Sequence, residues 1–235
     1  MSAGHTASAA GAGQAGEPFR DSLVVLLAVG SGVADVTTFL VLGKVFSSVI
    51  TGNLVLFGLA LASAQPRLAL HSGLAVAGYS AGVLIGVPIA ARGRHDRVWA
   101  PGVTAALCAE LCLLAAFTIA WEVARQRTGW QIAMLLLLAA AMGVQSAAVR
   151  RLGDMSATYL TGTLTGVLSG LITGTSKAGR WRDLSVLVAV VAGACAGAAL
   201  TRTVPDWLPA ATLLPLGTVI AAASTFRRRT EAAGT

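Results

Sequence analysis

Apolar residues run through this chain in blocks. Six blocks are long: Ser22–Gly43, Gly73–Ala91, Val103–Trp121, Gln131–Val149, Leu184–Thr201 and Trp207–Phe226. Each meets the roughly 17–25 apolar residues that a helix needs to cross the hydrocarbon core. Two further blocks, Thr51–Ala64 and Thr161–Thr173, are short. Runs of about 10–14 residues more often re-enter or lie at the interface than cross. Polar segments punctuate the blocks, among them "ARGRHDRVWAPG", "EVARQRTG", "GTSKAGRWRD" and "RTVPD". The pattern predicts an all-α polytopic membrane protein with six transmembrane helices and two short half-helices.

The order of blocks repeats. Residues 30–62, "GSGVADVTTFLVLGKVFSSVITGNLVLFGLALA", lie over residues 140–172, "AAMGVQSAAVRRLGDMSATYLTGTLTGVLSGLI", without a gap at an offset of 110. Leu42 then falls on Leu152, Gly43 on Gly153, Thr51 on Thr161 and Gly52 on Gly162, while Asp35 falls on Gln145. This divides a single membrane domain (22–226) into repeat 1 (22–121) and repeat 2 (131–226). If the short runs enter and return, each half crosses three times and the repeats are inverted, an architecture common among transporters.

Composition agrees. The chain is 55% hydrophobic and 11% charged, against about 25% charged in soluble domains. Spans and short loops account for most of its length. The net charge of +7 sits between apolar runs, and no basic face with interleaved aromatics marks a nucleic-acid partner. Eight crossings from an inner N-terminus would place ten Lys/Arg inside and seven outside. Six crossings place twelve inside (Arg20, Arg92, Arg94, Arg97, Arg150, Arg151, Lys177, Arg180, Arg182 and Arg227–Arg229) and five outside (Lys44, Arg67, Arg125, Arg127 and Arg202). The positive-inside rule favours the second count, with both termini cytoplasmic. Residues 1–21 lack the basic and apolar regions of a signal peptide and read as a disordered tail; residues 227–235 read as a basic tail. Cys108, Cys112 and Cys195 lie within apolar runs, which argues against a disulfide framework. No His accompanies them, so neither a metal site nor a cofactor is expected.

The short runs carry the candidate site. Val45–Ile50 is β-branched and aromatic, suited to entering the membrane extended, with a half-helix starting at Thr51-Gly52-Asn53. Thr can cap a free N–H there, Gly permits close approach, and the helix start presents a positive dipole end. Thr161-Gly162-Thr163 repeats the arrangement. The competing reading is a helix break packed in protein with no ligand. Asp35 lies deep in the first span, where a carboxylate costs roughly 2.5–3.5 kcal/mol. Ser31 and Gly32 precede it by one turn. It reads as a protonation or cation site, or as a structural carboxyl bonded to a half-helix N–H. Glu110 is central in its span and can pair with a neighbouring span or face a subunit interface; its repeat counterpart is Ile220. Gln145 can donate and accept across the halves. Arg150 and Arg151 anchor topology or attract anions at the inner mouth.

"SGVADVTTFLVLGKVFSSVITGNLVLFGLA" and "GVQSAAVRRLGDMSATYLTGTLTG" resemble the two signatures of the YoaK family of bacterial membrane proteins, over about residues 22–226. The resemblance implies an integral protein of the bacterial inner membrane and little chemistry. Its motif residues here would be Ser31, Gly32, Asp35, Thr51, Gly52, Asn53, Gly143, Gln145, Arg150, Arg151, Thr161 and Gly162. Thr163 stands where the first half has Asn53, so the half-sites would not be equivalent. The extended-then-helix pattern is also similar to sulfate-permease and nucleobase transporters, in architecture alone. The expectation is a secondary transporter of a small molecule, with a midplane site between paired broken helices and Asp35 as a coupling acid. An enzyme is not expected, because no nucleophile–base set, His pair, metal-ligand spacing or phosphate loop stands out; no catalytic residue is assigned. The alternative is a structural or regulatory membrane protein. Partners reduce to the lipid bilayer and a small solute, with a homo-oligomer left open.

Overall fold

The computed structural model describes residues 3–93, 99–124, 129–152, 160–173 and 177–232. These form α1 (Ala3–Val41), α2 (Ile50–Ala62), α3 (Pro66–Ala90), α4 (Pro101–Ala124), α5 (Trp130–Arg150), α6 (Leu160–Thr173), α7 (Lys177–Thr203) and α8 (Leu208–Ala232), with a 3-10 turn at Pro205–Trp207. Six contain spans long and apolar enough to cross a membrane, and α2 and α6 are the short apolar pair. The all-α polytopic expectation is met. Helix α1 starts at Ala3 and α8 continues to Ala232, so residues 3–21 and 227–232 are helical. The alanine-rich start fits this, since Ala has the highest helix propensity.

Contacts sort the helix ends onto two sides. Arg20 Nη1 donates to the Leu152 carbonyl at 3.0 Å, placing the start of the first span beside the end of α5. An Asp21–Arg182 ion pair at 3.3 Å brings in the start of α7. Phe19 stacks on Phe226 at 4.6 Å, which adds the end of α8. The Gly102 N–H donates to the Arg92 carbonyl at 3.1 Å, and Arg151 Nη2 to that of Gly93 at 3.3 Å, adding the end of α3 and the start of α4. This is the arginine-rich side. On the opposite side, Val41 and Lys44 share a cavity with Gln65 and Arg67 at the start of α3 and with Gln131 at the start of α5.

Two consequences follow. Helix α1 ends where α3 begins, so α2 leaves and returns on one side without crossing. Helix α5 ends where α7 begins, so α6 does the same on the arginine-rich side. The long helices make six crossings, and α1 and α5, α3 and α7, and α4 and α8 run in opposite directions.

Packing follows the same exchange. Helix α3 packs on α5 and α7 on α1; α4 packs on α5 and α8 on α1; α2 packs on α3 and α6 on α7. Helices α1 and α5 are the most enclosed, with 61% and 72% of their spans buried against 22–39% for the other four. Glycines set the crossings. A Cβ on Gly32 would fall on the Val190 carbonyl oxygen, and one on Gly143 on that of Tyr79. A Cβ on Gly193 would meet the Val29 carbonyl oxygen, and one on Gly82 that of Ala140. Apolar side chains gain nothing by leaving lipid for protein, so membrane helices associate through such close backbone packing.

These contacts share one spacing. Gly32 and Gly143, Val190 and Tyr79, Gly193 and Gly82, Val29 and Ala140 are each 111 residues apart. The Thr51 and Thr161 motifs remain 110 apart. A one-residue slip therefore separates the crossings from the short helices. Asp35 stands opposite Ser146, and Gln145 opposite Ala34. Chance apolar identity tolerates such a slip, whereas backbone contact at a crossing does not.

Gly82→Ala and Gly193→Ala should each lower stability by about 1–3 kcal/mol, because the new methyl meets backbone that cannot rotate away. Gly162→Ala, with nothing within 4 Å of its Cβ position, should hold or slightly raise it. Thermal unfolding of the three purified variants in one detergent checks the ordering.

Candidate functional site

Polar side chains inside the bundle gather in two clusters. The first surrounds Asp35 on α1. Its Oδ1 accepts from Ser47 Oγ at 2.8 Å and from the Ser48 N–H at 2.8 Å, and its Oδ2 accepts from Ser48 Oγ at 2.6 Å. Both oxygens are engaged by the segment leading into α2. Asn53 holds the same segment from the other side. Its Oδ1 accepts from the Phe46 N–H at 2.9 Å and its Nδ2 donates to the Phe46 carbonyl at 2.6 Å. A single side-chain amide thus satisfies both backbone groups of a residue outside any helix, as buried backbone requires. Phe46 also stacks on Phe39 at 5.2 Å.

This explains why the short helix starts where it does. The N-cap of α2 is Val49, with no side-chain capping bond. The expected cap by Thr51 is therefore absent, and Thr51 faces outward. Asp35 stands in for a cap from another helix, binding the Ser48 N–H just ahead of the N-cap. A carboxyl there also faces the positive end of the helix dipole.

The second cluster links three spans. Ser31 on α1 donates from Oγ to Gln145 Oε1 on α5 at 2.7 Å. Gln145 Nε2 donates to Glu110 Oε1 on α4 at 2.8 Å. The three residues are 4%, 5% and 0% exposed. Glu110 Oε2 is buried and has no hydrogen-bond partner among the described residues. The expected pairing of Glu110 with a neighbouring span is realised through Gln145. An unsatisfied buried oxygen costs about 1–3 kcal/mol, more if charged. One end of this chain is thus chemically incomplete, while the Asp35 cluster is complete.

The remaining candidates stand apart from both. A Cβ at Gly52 would meet the side chains of Val49 and Phe46, in its own lead-in segment. Thr161 and Gly162 are exposed, and Thr163 is half-buried. Helix α2 packs on α3, whereas α6 packs on α7. The two Thr-Gly starts therefore do not meet Asp35, Gln145 and Glu110 around one described centre. Residues 153–159, the lead-in to α6, lie outside the described residues. Arg150 and Arg151 line a cavity of about 480 Å³ between α3 and α5 on the arginine-rich side.

Ser47 and Ser48 were not singled out from sequence. The available signal was a pair of hydroxyls in an apolar run, next to a Gly-Asn pair and downstream of a lone acid. An acid that must be satisfied inside a membrane needs donors close by in the fold, and these were within a short reach of chain.

Residues 23–225 match a family model described as "Protein of unknown function (DUF1275)". The chain belongs to this family. It is also 34% identical over 148 residues to the UPF0700 transmembrane protein YoaK of Bacillus subtilis (strain 168), covering 62% of this chain and 64% of that protein. The resemblance carried by the two Thr-Gly stretches is borne out. No solved structure matches the chain significantly. A multi-pass membrane protein is thereby established for the family member at hand, on the relative and the six apolar spans together.

The two clusters predict different responses to mutation. Asp35→Asn turns one acceptor face into a donor face opposite serine donors, so it should destabilise by about 1–3 kcal/mol. Asn53→Ala, which orphans both backbone groups of Phe46, should cost at least as much. Thr51→Ala should cost under about 0.5 kcal/mol, as for other surface sites. Thermal unfolding in detergent or nanodiscs measures all three; an Asp35→Asn protein as stable as the native one contradicts the anchoring role.

Proposed function

We propose that this protein is a secondary transporter of a small solute, in which Glu110 takes up and releases the coupling proton. The observation that carries the reading is the Ser31–Gln145–Glu110 chain with its unsatisfied Glu110 oxygen. An ionisable side chain inside a membrane bundle is costly and is by default a functional group. Gln145 offers an acceptor and a donor, and its amide can turn. As found, Ser31 donates to its oxygen and its NH₂ donates to Glu110. With a proton on Glu110, the turned amide accepts from the carboxyl and donates to Ser31. The chain therefore has two hydrogen-bonded arrangements between helices of different halves. A bistable contact of that kind is what a transport cycle needs.

The architecture supports the same reading. Counterpart helices run antiparallel and exchange packing partners, as in an inverted duplication, and inverted repeats are frequent in secondary transporters. The arginine-rich side carries Arg20, Arg92, Arg150, Arg151, Arg182 and Arg227, so the positive-inside rule assigns it to the cytoplasm. Both termini then face inward across a bacterial inner membrane. The coupling acid moves from Asp35, the sequence expectation, to Glu110, because Asp35 is occupied in holding α2. A second reading, a membrane protein without transport, draws on the separation of the two Thr-Gly starts.

Orientation is tested by single cysteines at Lys44, Arg202 and Arg227 in a chain whose own three cysteines are replaced. The first two should label from outside in intact cells, and the third only after permeabilisation. Labelling of the third from outside defeats the assignment.

Function is tested in two steps. Solutes are first screened for those that raise the thermal stability of the purified protein, since ligands of the native state do so. Proteoliposomes carrying a pH-sensitive dye then report proton movement when such a solute is supplied. Native protein should couple the two fluxes. Glu110→Gln keeps an acceptor for Gln145 and should fold and bind, yet lose accumulation driven by a proton gradient. Normal gradient-driven accumulation by Glu110→Gln refutes the proton role. A screen in which no solute stabilises the protein favours the reading without transport.

A further inference from the structure

The cavity on the side opposite the arginines has a chemistry that neither polar cluster uses. It holds about 720 Å³, within the range of small-molecule sites. Lys44, Arg67 and His71 line it together with Gln65 and Gln131. Among the described residues, neither Lys44 nor Arg67 makes an ion pair with an acid. Helix α3 begins at its wall, and α5 reaches it through its second residue, Gln131. Helix α3 has 25 residues and Gln65 as its N-cap; α5 has 21 residues and Gly129 as its N-cap, one residue before Trp130. Neither N-cap makes a side-chain capping bond. Positive side chains and two positive helix ends thus converge where the positive-inside rule leaves few cations.

The backbone is bent to build this wall. Gly43 has φ 131° and Lys44 has φ 63°, which carries the chain around tightly after α1. A Cβ at Gly43 would strike the ring of His71, so glycine lets that ring close against the turn. His71 Nδ1 in turn donates to the Arg67 carbonyl at 2.6 Å. Lys44 Nζ lies 5.4 Å from the centre of the Phe39 ring, a contact that orients the ammonium. Lys in left-handed backbone costs on the order of 1 kcal/mol or more, and such conformations cluster at sites where they are used.

We infer that this cavity binds an oxyanion, a carboxylate or phosphate group, held by Lys44, Arg67 and the starts of α3 and α5, with the carbon skeleton against Leu40 and Leu68. Helix starts and basic side chains are the standard recognition elements for such groups. The inference concerns binding and does not rest on transport or on Glu110. The same chemistry is available from a free solute or from the headgroup of an anionic lipid.

The test uses the full chain in nanodiscs. In discs of zwitterionic lipid, inorganic phosphate and hexanoate are titrated against thermal stability, with choline as a cation control. A second arm replaces part of the lipid with phosphatidylglycerol and adds no solute. Stabilisation by phosphate or hexanoate in the first arm identifies a free anion as ligand. Stabilisation in the second arm alone identifies the lipid headgroup. In either case Lys44→Gln/Arg67→Gln should weaken the effect by about ten-fold or more, while Lys44→Arg/Arg67→Lys should retain most of it. The ligand-free stability of both variants, measured alongside, separates lost binding from lost folding. No stabilisation in any arm, or full stabilisation in a well-folded Lys44→Gln/Arg67→Gln protein, overturns the inference.

Discussion

Backbone pressed on backbone at the glycine crossings is the constraint on which the rest of the bundle depends. At Gly32 and Gly193 the chains of α1 and α7 meet with no room for a methyl group, and at Gly143 and Gly82 those of α5 and α3 do the same. In lipid, apolar side chains supply no net drive for helices to associate. Close approach supplies dispersion and weak backbone contacts instead. It also fixes rotation and register, because a slip of one residue places a side chain where a carbonyl already sits. Ser31 adjoins Gly32, and Gln145 lies two residues after Gly143. The crossings therefore set where these two polar groups stand, and with them the position of the buried chain to Glu110.

The same geometry separates polar groups that hold the fold from polar groups that leave it unfinished. Asp35 and Asn53 anchor one irregular segment, and the hydrogen bonds of both side chains go to it. Irregular backbone at membrane depth survives only when protein satisfies it, and these two residues do so. Glu110 is enclosed by apolar neighbours and receives one donor for two oxygens. Packing alone would be better served by an apolar residue at that position.

Much of this was legible in the sequence. Block lengths separated six spans from two short helices, and the charge count favoured re-entry of the short ones. The helix ends agree, since Val41 lies beside Gln65 and Leu152 beside Arg20. The spacing of 110 between the Thr-Gly motifs was legible, but the spacing of 111 between the glycine crossings was not. Leu42 on Leu152 and Gly43 on Gly153 are identities that apolar composition supplies readily, while the glycine contacts that set the register depend on the facing helix. Asp35 was legible as a residue needing partners, and a bond to a half-helix N–H was one of its two readings. Its attachment to Ser47 and Ser48 depended on the path of the chain between α1 and α2. Thr51 misled because a hydroxyl at a helix start fits the capping pattern. In the fold Asp35 already serves the lead-in, and α2 starts one residue before Thr51.

The spacing of 111 relates the glycine crossings and not the polar residues. Gly32 and Gly143 are counterparts, as are Gly82 and Gly193, so the crossings occur in both halves. The polar residues do not: Ser31 stands opposite Met142, Asp35 opposite Ser146, and Gln145 opposite Ala34. The glycine contacts recur at this spacing, and the polar chemistry does not. Two equivalent half-sites would bring matching groups to the pseudo-symmetry axis. Here α1 and α4 of the first half instead supply Ser31 and Glu110, and α5 of the second supplies Gln145 between them. This hydrogen-bonded chain crosses the boundary between halves at both of its bonds. The Asp35 anchor lies wholly within the first half, whereas both Gln145 bonds join the halves. In the proposed cycle, the contact that feels the relative position of the halves is therefore the same contact that ends on the incompletely bonded acid.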